Sequence, residues 1–250
     1  MADISICVEM VYDDEPFAER IERAADVGAD AVEFWDWREK DLETVVETAD
    51  AADVPIAGFV AGGTLTDPDA ADDTVETIRE SIDTAAEHDV PTLIVTTGQD
   101  QDGLERETQY DNIVDVLSTV APDAEDAGVT LVVEPLNTAV DHPGYFLETS
   151  EEGFEIIDDV GSPNVTLLYD IYHQQITEGN LIDTITDNVE KIGHFHIADV
   201  PGRHEPGTGE LAYERILEAI DDTDYGGYVG CEFSPVGDAD EAVANVLDWQ

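Results

Sequence analysis

Eight apolar, β-branched-rich runs alternate with eight amphipathic runs along the 250 residues, and this order limits the possible folds more than any other feature. The spacing predicts strands at 4–10, 31–35, 55–60, 92–97, 130–135, 165–170, 192–197 and 228–233. Helical periodicity follows each of them, near 15–27, 41–53, 69–88, 105–126, 149–160, 178–188, 211–220 and 238–248. Strands joined by helical crossovers pair in parallel. Six or seven such units would suit an open doubly wound sheet, whereas eight close into a (β/α)8 TIM barrel. No Pro-, Gly- or Ser-rich linker interrupts the series, so residues 1–250 read as a single barrel domain. Several boundaries carry their own punctuation: Asp67-Pro68 and Thr149 with Glu152 at helix starts, Gly28 and Gly128 just past helix ends.

In barrels of this kind the working residues come from the C-terminal ends of the strands and the loops after them. Glu134 in LVVEP, Asp170 in TLLYD, His196 in GHFHI and Glu232 in VGCEF fall there. Alternation turns Glu134 and Glu232 inward, because Leu131 and Val133, and Val229, Cys231 and Phe233, then face the helices. A buried acid costs several kcal/mol unless paired or metal-bound. Taken singly, each of these groups is as readily an ordinary salt-bridge partner. Four at one rim ask for a cation, and oxygen and imidazole donors suit one divalent metal, with Mn²⁺, Mg²⁺ and Co²⁺ all acceptable. Inward-facing Trp35 is placed to wall a substrate pocket, although an aromatic at a barrel rim is equally often structural. His194 reads as a packed, hydrogen-bonded residue one layer below His196 rather than a further ligand. His88 reads as a partner of a helix C-terminus, and His142 as a loop residue. Glu33 lies at the end of strand two, and Glu9 reads as an inward acid on strand one, behind the ligands.

Charge narrows the partners. Nine Lys plus Arg against 61 Asp plus Glu give 9 − 61 = −52, spread along the chain between apolar positions of helical spacing. A uniformly solvated acidic surface suits molar salt, where the Debye length is about 3 Å and self-repulsion is screened, so a halophilic source is expected. So few cations argue against nucleic acid and against anionic membranes. MADISICVEM has no basic leader followed by an apolar stretch and no run has the length of a membrane span, so a cytoplasmic protein is expected. Cys7 and Cys231 fall on neighbouring strands of a closed barrel but point to opposite faces, which reads as two reduced thiols.

The segments VEPLN at 133–137, LLYDIYH at 167–173, HFHIADVPGRHEPGTGE at 194–210 and CEF at 231–233 resemble the hydroxypyruvate isomerase-like branch of the xylose isomerase-like TIM barrels, which also includes ketose 3-epimerases. The similarity runs from VEFWDW at 32–37 through PGYFL at 143–147 to the C-terminal segments. It implies that Glu134, Asp170, His196 and Glu232 bind a divalent ion, that Glu134 and Glu232 also exchange protons with substrate from opposite sides, that His173 sits beside the substrate oxygens, and that Arg203 closes over the ligand. His196 is the residue of the epimerases, where hydroxypyruvate isomerases often carry Gln, so both branches stay open. Barrels of this family often pair, which leaves a homo-oligomer open. A metal that chelates a carbonyl and its neighbouring hydroxyl acidifies the hydrogen between them, and a carboxylate can remove it to give a cis-enediolate. Return of the proton to the neighbouring carbon isomerises; return to the opposite face of the same carbon epimerises. One arginine after strand seven suits a carboxylate or hydroxyls and is lean for a phosphate, which favours hydroxypyruvate, a related 2-oxo sugar acid or a free sugar. Loss of water from an inosose-like polyol, and a sugar-binding module without turnover, are the competing classes, while related metal barrels that cleave DNA at abasic sites need several more histidines for a multi-metal centre and a basic DNA face, neither of which this sequence offers.

Circular-dichroism melting is expected to give a lower Tm in dilute buffer than in molar KCl; coincident curves would remove the halophilic reading.

Overall fold

The computed structural model describes residues 2–249, and its strands close into a parallel barrel in the order β1 to β8. These are β1 Asp3–Cys7, β2 Ala31–Asp36, β3 Ile56–Val60, β4 Thr92–Thr96, β5 Thr130–Glu134, β6 Val165–Asp170, β7 Ile192–Ile197 and β8 Tyr228–Cys231. The expected (β/α)8 TIM barrel is the fold. The helices are α1 Val8–Val11, α2 Phe17–Val27, α3 Leu42–Ala52, α4 Ala71–Glu87, α5 Arg106–Ala127, α6 Ser150–Val160, α7 Ile171–Thr177, α8 Leu181–Asn188, α9 Tyr213–Asp221 and α10 Ala239–Leu247. Among the described residues no helix is long and apolar enough to cross a membrane.

The chain packs as two compact units. One comprises Met1–Phe59, Asn180–Glu190 and His194–Gln250, the other Val60–Gly179 and Lys191–Gly193. In the first, β8 lies between β1 and β7, so that Gly230 is paired with Ser5 on one side and His196 on the other. β1 also pairs with β2, with Cys7 opposite Glu33. In the second unit β4, β5 and β6 are paired in sequence, with Thr96 opposite Glu134 and Val133 opposite Leu167. There Ile94, Val132 and Leu168 form a buried inner layer, while their neighbours Leu93, Leu131 and Leu167 are buried on the alternate face.

The helix caps follow the sequence signals. Asp67 accepts a hydrogen bond from Asp69 N, Thr149 accepts one from Glu152 N, and Gly28 and Gly128 close their helices in the left-handed region. Two expectations need correction. Strand one stops at Cys7, and Val8–Val11 turn into α1, because a short apolar run satisfies either period. Glu9 is therefore not on the strand; its carboxylate accepts from Trp35 N and pairs with Lys40 Nζ at 2.8 Å. The second correction is α7, which begins immediately after Asp170 where a loop was expected. The Asp170 side chain caps it by accepting from His173 N at 3.0 Å, so the segment after the strand becomes a helical turn. Both cysteines are free and buried, as expected, and burial pushes both thiols up, which keeps them protonated.

Helix α6 lies close to β6 because Gly153 has no side chain: a Cβ there would be 2.5 Å from Leu167 Cδ1 and 3.3 Å from Pro135 Cγ. Alanine is the better helix former by about 0.5–1 kcal/mol, yet Gly153→Ala is expected to lower the urea midpoint, since fully buried Leu167 has little room to yield. A raised midpoint would contradict this packing.

Candidate active site

In the first unit, four strands and one loop bring together a ring of charge. His194 and His196 point to the same side of β7, two residues apart, with ring centroids 5.0 Å apart and edge to face. Between them lies Glu33, 1% exposed. Its Oε2 accepts from Ser5 Oγ at 2.7 Å and lies 2.9 Å from His194 Nε2, while its Oε1 lies 2.9 Å from His196 Nε2. Burial pushes this carboxyl up, but the His194 and His196 imidazoles outweigh it and hold the group well below the usual carboxylate range.

The other face of the His196 ring system meets Glu232, whose Oε2 is 3.3 Å from His196 Nδ1. Glu232 sits one residue past β8, where its own N–H still bonds Ile197 O at 3.1 Å, so the backbone of the ladder fixes its place. Trp35 Nε1 donates to Glu232 Oε1 at 3.0 Å, and the Arg203 guanidinium pairs with Oε2. Burial raises the Glu232 pKa; Arg203, then His196 and Trp35, reverse this and hold the carboxyl well below its ordinary range. Trp35 itself is 42% exposed.

Arg203 owes its position to a residue that the sequence reading did not single out. Asp199 is fully buried after β7. Its Oδ1 accepts from Val200 N at 2.9 Å and Leu211 N at 3.1 Å, and its Oδ2 from Gly207 N and Gly209 N, both at 2.8 Å. Its backbone N–H donates to His204 O at 2.7 Å, and its carbonyl accepts from Arg203 N at 3.1 Å. The loop is thus wound round one carboxylate, and Arg203 is held in it at φ 56°, a conformation that costs a non-glycine residue on the order of 1 kcal/mol. The only signal in the sequence was the small, turn-forming PGTGE that lets these amides converge.

In the second unit Glu134 ends β5, is buried, and accepts from Tyr145 OH through its backbone carbonyl at 3.1 Å. Asp170 ends β6, and its Oδ2 is 3.6 Å from His173 Nε2. His173 is 0% exposed. Its Nδ1 accepts from Asn137 N at 3.3 Å and lies 2.6 Å from Asn137 Nδ2, so this nitrogen carries the lone pair and Nε2 carries the proton. The rings of His142 and Tyr172 pack against it at 5.2 and 5.3 Å. His142, unplaced by sequence, therefore belongs to this cluster.

In the first unit, Glu33 with His194 and His196, all buried, could hold a metal ion. A family model described as xylose isomerase-like TIM barrel matches residues 21–250. The chain is 32% identical over 244 residues to hydroxypyruvate isomerase of Escherichia coli (strain K12), covering 94% of each. It is 30% identical over 259 residues to 2-oxo-tetronate isomerase of Pectobacterium atrosepticum, covering 97% of this chain and 95% of that one. In structure it matches an AP endonuclease, family 2, of Brucella melitensis with a TM-score of 0.95, 27% identity and full coverage of both chains.

Asp199→Asn exchanges an oxygen that accepts amide protons for an amino group that confronts them, at a cost of about 1–3 kcal/mol. Hydrogen–deuterium exchange is expected to rise across 200–211 with the strands unchanged; unaltered protection of the loop would show that Asp199 does not organise it.

Proposed function

The chain belongs to the xylose isomerase-like TIM barrel family, and we propose that it is a divalent-metal-dependent isomerase of a small hydroxy-carbonyl compound, hydroxypyruvate or a related 2-oxo sugar acid. An isomerase or epimerase is the enzyme class its relatives carry. The observation that carries the metal reading is the contact between His196 and Glu232. An imidazole whose Nε2 faces the Glu33 carboxylate turns its Nδ1 toward Glu232 Oε2 at 3.3 Å, and two lone pairs so placed fit a cation between them. Glu134 and Asp170, both buried at strand ends, would complete a set of three carboxylates and one imidazole.

A bound divalent ion would supply Lewis-acid polarisation of the substrate carbonyl and its neighbouring hydroxyl. The protein's own groups do the rest. Glu232, kept ionised by Arg203 and oriented by Trp35 Nε1, is suited to take a proton from carbon. Glu134 is the second proton-transfer group, reaching substrate from the other side. His173 offers its Nε2–H to a substrate oxygen, because Asn137 N–H fixes the opposite tautomer at Nδ1. Arg203 would receive the carboxylate of a sugar acid, a match that a planar guanidinium makes through two parallel hydrogen bonds. Trp35 shields one side of the pocket from water. A ketose 3-epimerase would use the same groups with the proton returned to the opposite face, and His196 is the residue that favours this second reading.

NMR in D₂O of the Mg²⁺-loaded protein with hydroxypyruvate and free ketoses is expected to show metal-dependent deuterium uptake beside the carbonyl. Uptake at the neighbouring carbon of a sugar acid marks the isomerase, inversion and uptake at one ketose carbon the epimerase, and no exchange with any substrate would defeat both. Glu232→Gln is expected to reduce kcat by about 10²–10⁴-fold, the usual worth of a positioned proton-transfer group.

A further inference from the structure

We infer that Glu33 is a positioning residue that turns His196 so that Nδ1, not Nε2, is its metal-binding nitrogen. The inference rests on the proposed metal reading and adds to it a residue outside the proposed set of Glu134, Asp170, His196 and Glu232. An imidazole can present either nitrogen to a cation, and the partner of the other nitrogen decides which.

Glu33 is built to make that decision. Its Oε2 is occupied by Ser5 Oγ at 2.7 Å and His194 Nε2 at 2.9 Å, which turns Oε1 to His196 Nε2 at 2.9 Å. His196 Nε2 lies 2.9 Å from Glu33 Oε1 and Nδ1 lies 3.3 Å from Glu232 Oε2, so a cation shared by His196 and Glu232 would take the lone pair of Nδ1 and leave the proton on Nε2, beside a carboxylate that can only accept it. Room for the arrangement comes from β8. Gly230 is paired with both Ser5 and His196, and a Cβ on it would lie 2.4 Å from Glu33 Oε1 and 2.8 Å from His196 Cδ2. Four strands therefore contribute: Ser5 and His194 as donors, Gly230 as space, and Glu33 as the common acceptor. His194, expected to be a packed residue below the site, acts through Glu33, because its hydrogen bond keeps Oε2 from competing for His196.

Removing the carboxylate removes the instruction. In Glu33→Gln the side chain is neutral and can offer an N–H₂ to His196, which allows the proton to move to Nδ1 and block the lone pair. Loss of such an outer partner typically weakens metal affinity by about 10–100-fold.

The test combines calorimetric Mg²⁺ and Mn²⁺ titration with long-range ¹H–¹⁵N correlation of the histidine side chains, for wild type and Glu33→Gln. Wild-type His196 is expected to keep its Nε2 proton with and without Mg²⁺ while the Nδ1 shift alone responds to the ion, and Glu33→Gln is expected to bind about 10–100-fold more weakly at unchanged far-UV dichroism. An Nε2 that loses its proton or moves on Mg²⁺ addition overturns the inference, as does a folded variant with wild-type affinity. Should the variant fail to fold, the wild-type nitrogen shifts decide alone. A wild type that binds neither ion overturns the metal reading, and the Nε2 proton still reports separately whether Glu33 holds His196.

Discussion

A carboxylate does not stay ionised inside a protein unless other groups meet its charge, and the rim of this barrel is organised by that requirement. Four of the buried acids show how. Glu33 takes a hydroxyl and two imidazoles, Glu232 an arginine, an indole N–H and an imidazole, Asp170 the His173 amide in the first turn of α7, and Asp199 four backbone amides. The donors come from strands and loops distant in sequence, so the acids act as fixing points for the chain as well as for chemistry. His196 stands between two carboxylates, with Glu33 at one nitrogen and Glu232 at the other.

The fold was legible because every strand is buried on both faces and followed by an amphipathic helix, so the period changes eight times and the count alone selects the closed barrel. Glu134, Asp170 and Glu232 could be singled out because an acid at the end of an apolar run is a local anomaly. Glu33 was noted but given no role, since its meaning depends on Ser5, His194 and Gly230, which no local pattern links. Asp199 stood unremarked beside a glycine-rich loop because acceptor and donors are up to 12 residues apart and none is unusual alone. Helix α1, read as the end of a strand, and helix α7, read as part of a loop, escaped notice for a simpler reason: four to seven residues carry too little periodicity to reveal a helix.

With so few cations, where they are spent says much about the outer layer. Arg23 joins α2 to Asp240 at the start of α10, Arg79 joins α4 to Asp123 on α5, and Lys191 reaches Asp158 on α6. Each is partly exposed and worth about 0–1 kcal/mol. Their separations of 2.6–2.8 Å are shorter than those among the dispersed acids, so salt that screens the repulsion weakens these contacts least.

The loop after β7 has a property of an evolutionary kind. Its shape depends on Asp199 and on backbone amides, and on the backbone of Arg203 bonding Ser234 N at 2.9 Å, but not on the Arg203 side chain. The guanidinium is a passenger on a frame that would stand without it. A lineage can exchange that one side chain, and with it the cationic partner of Glu232, without rebuilding the loop, and a stable frame with a replaceable side chain is the kind of part from which new properties diverge.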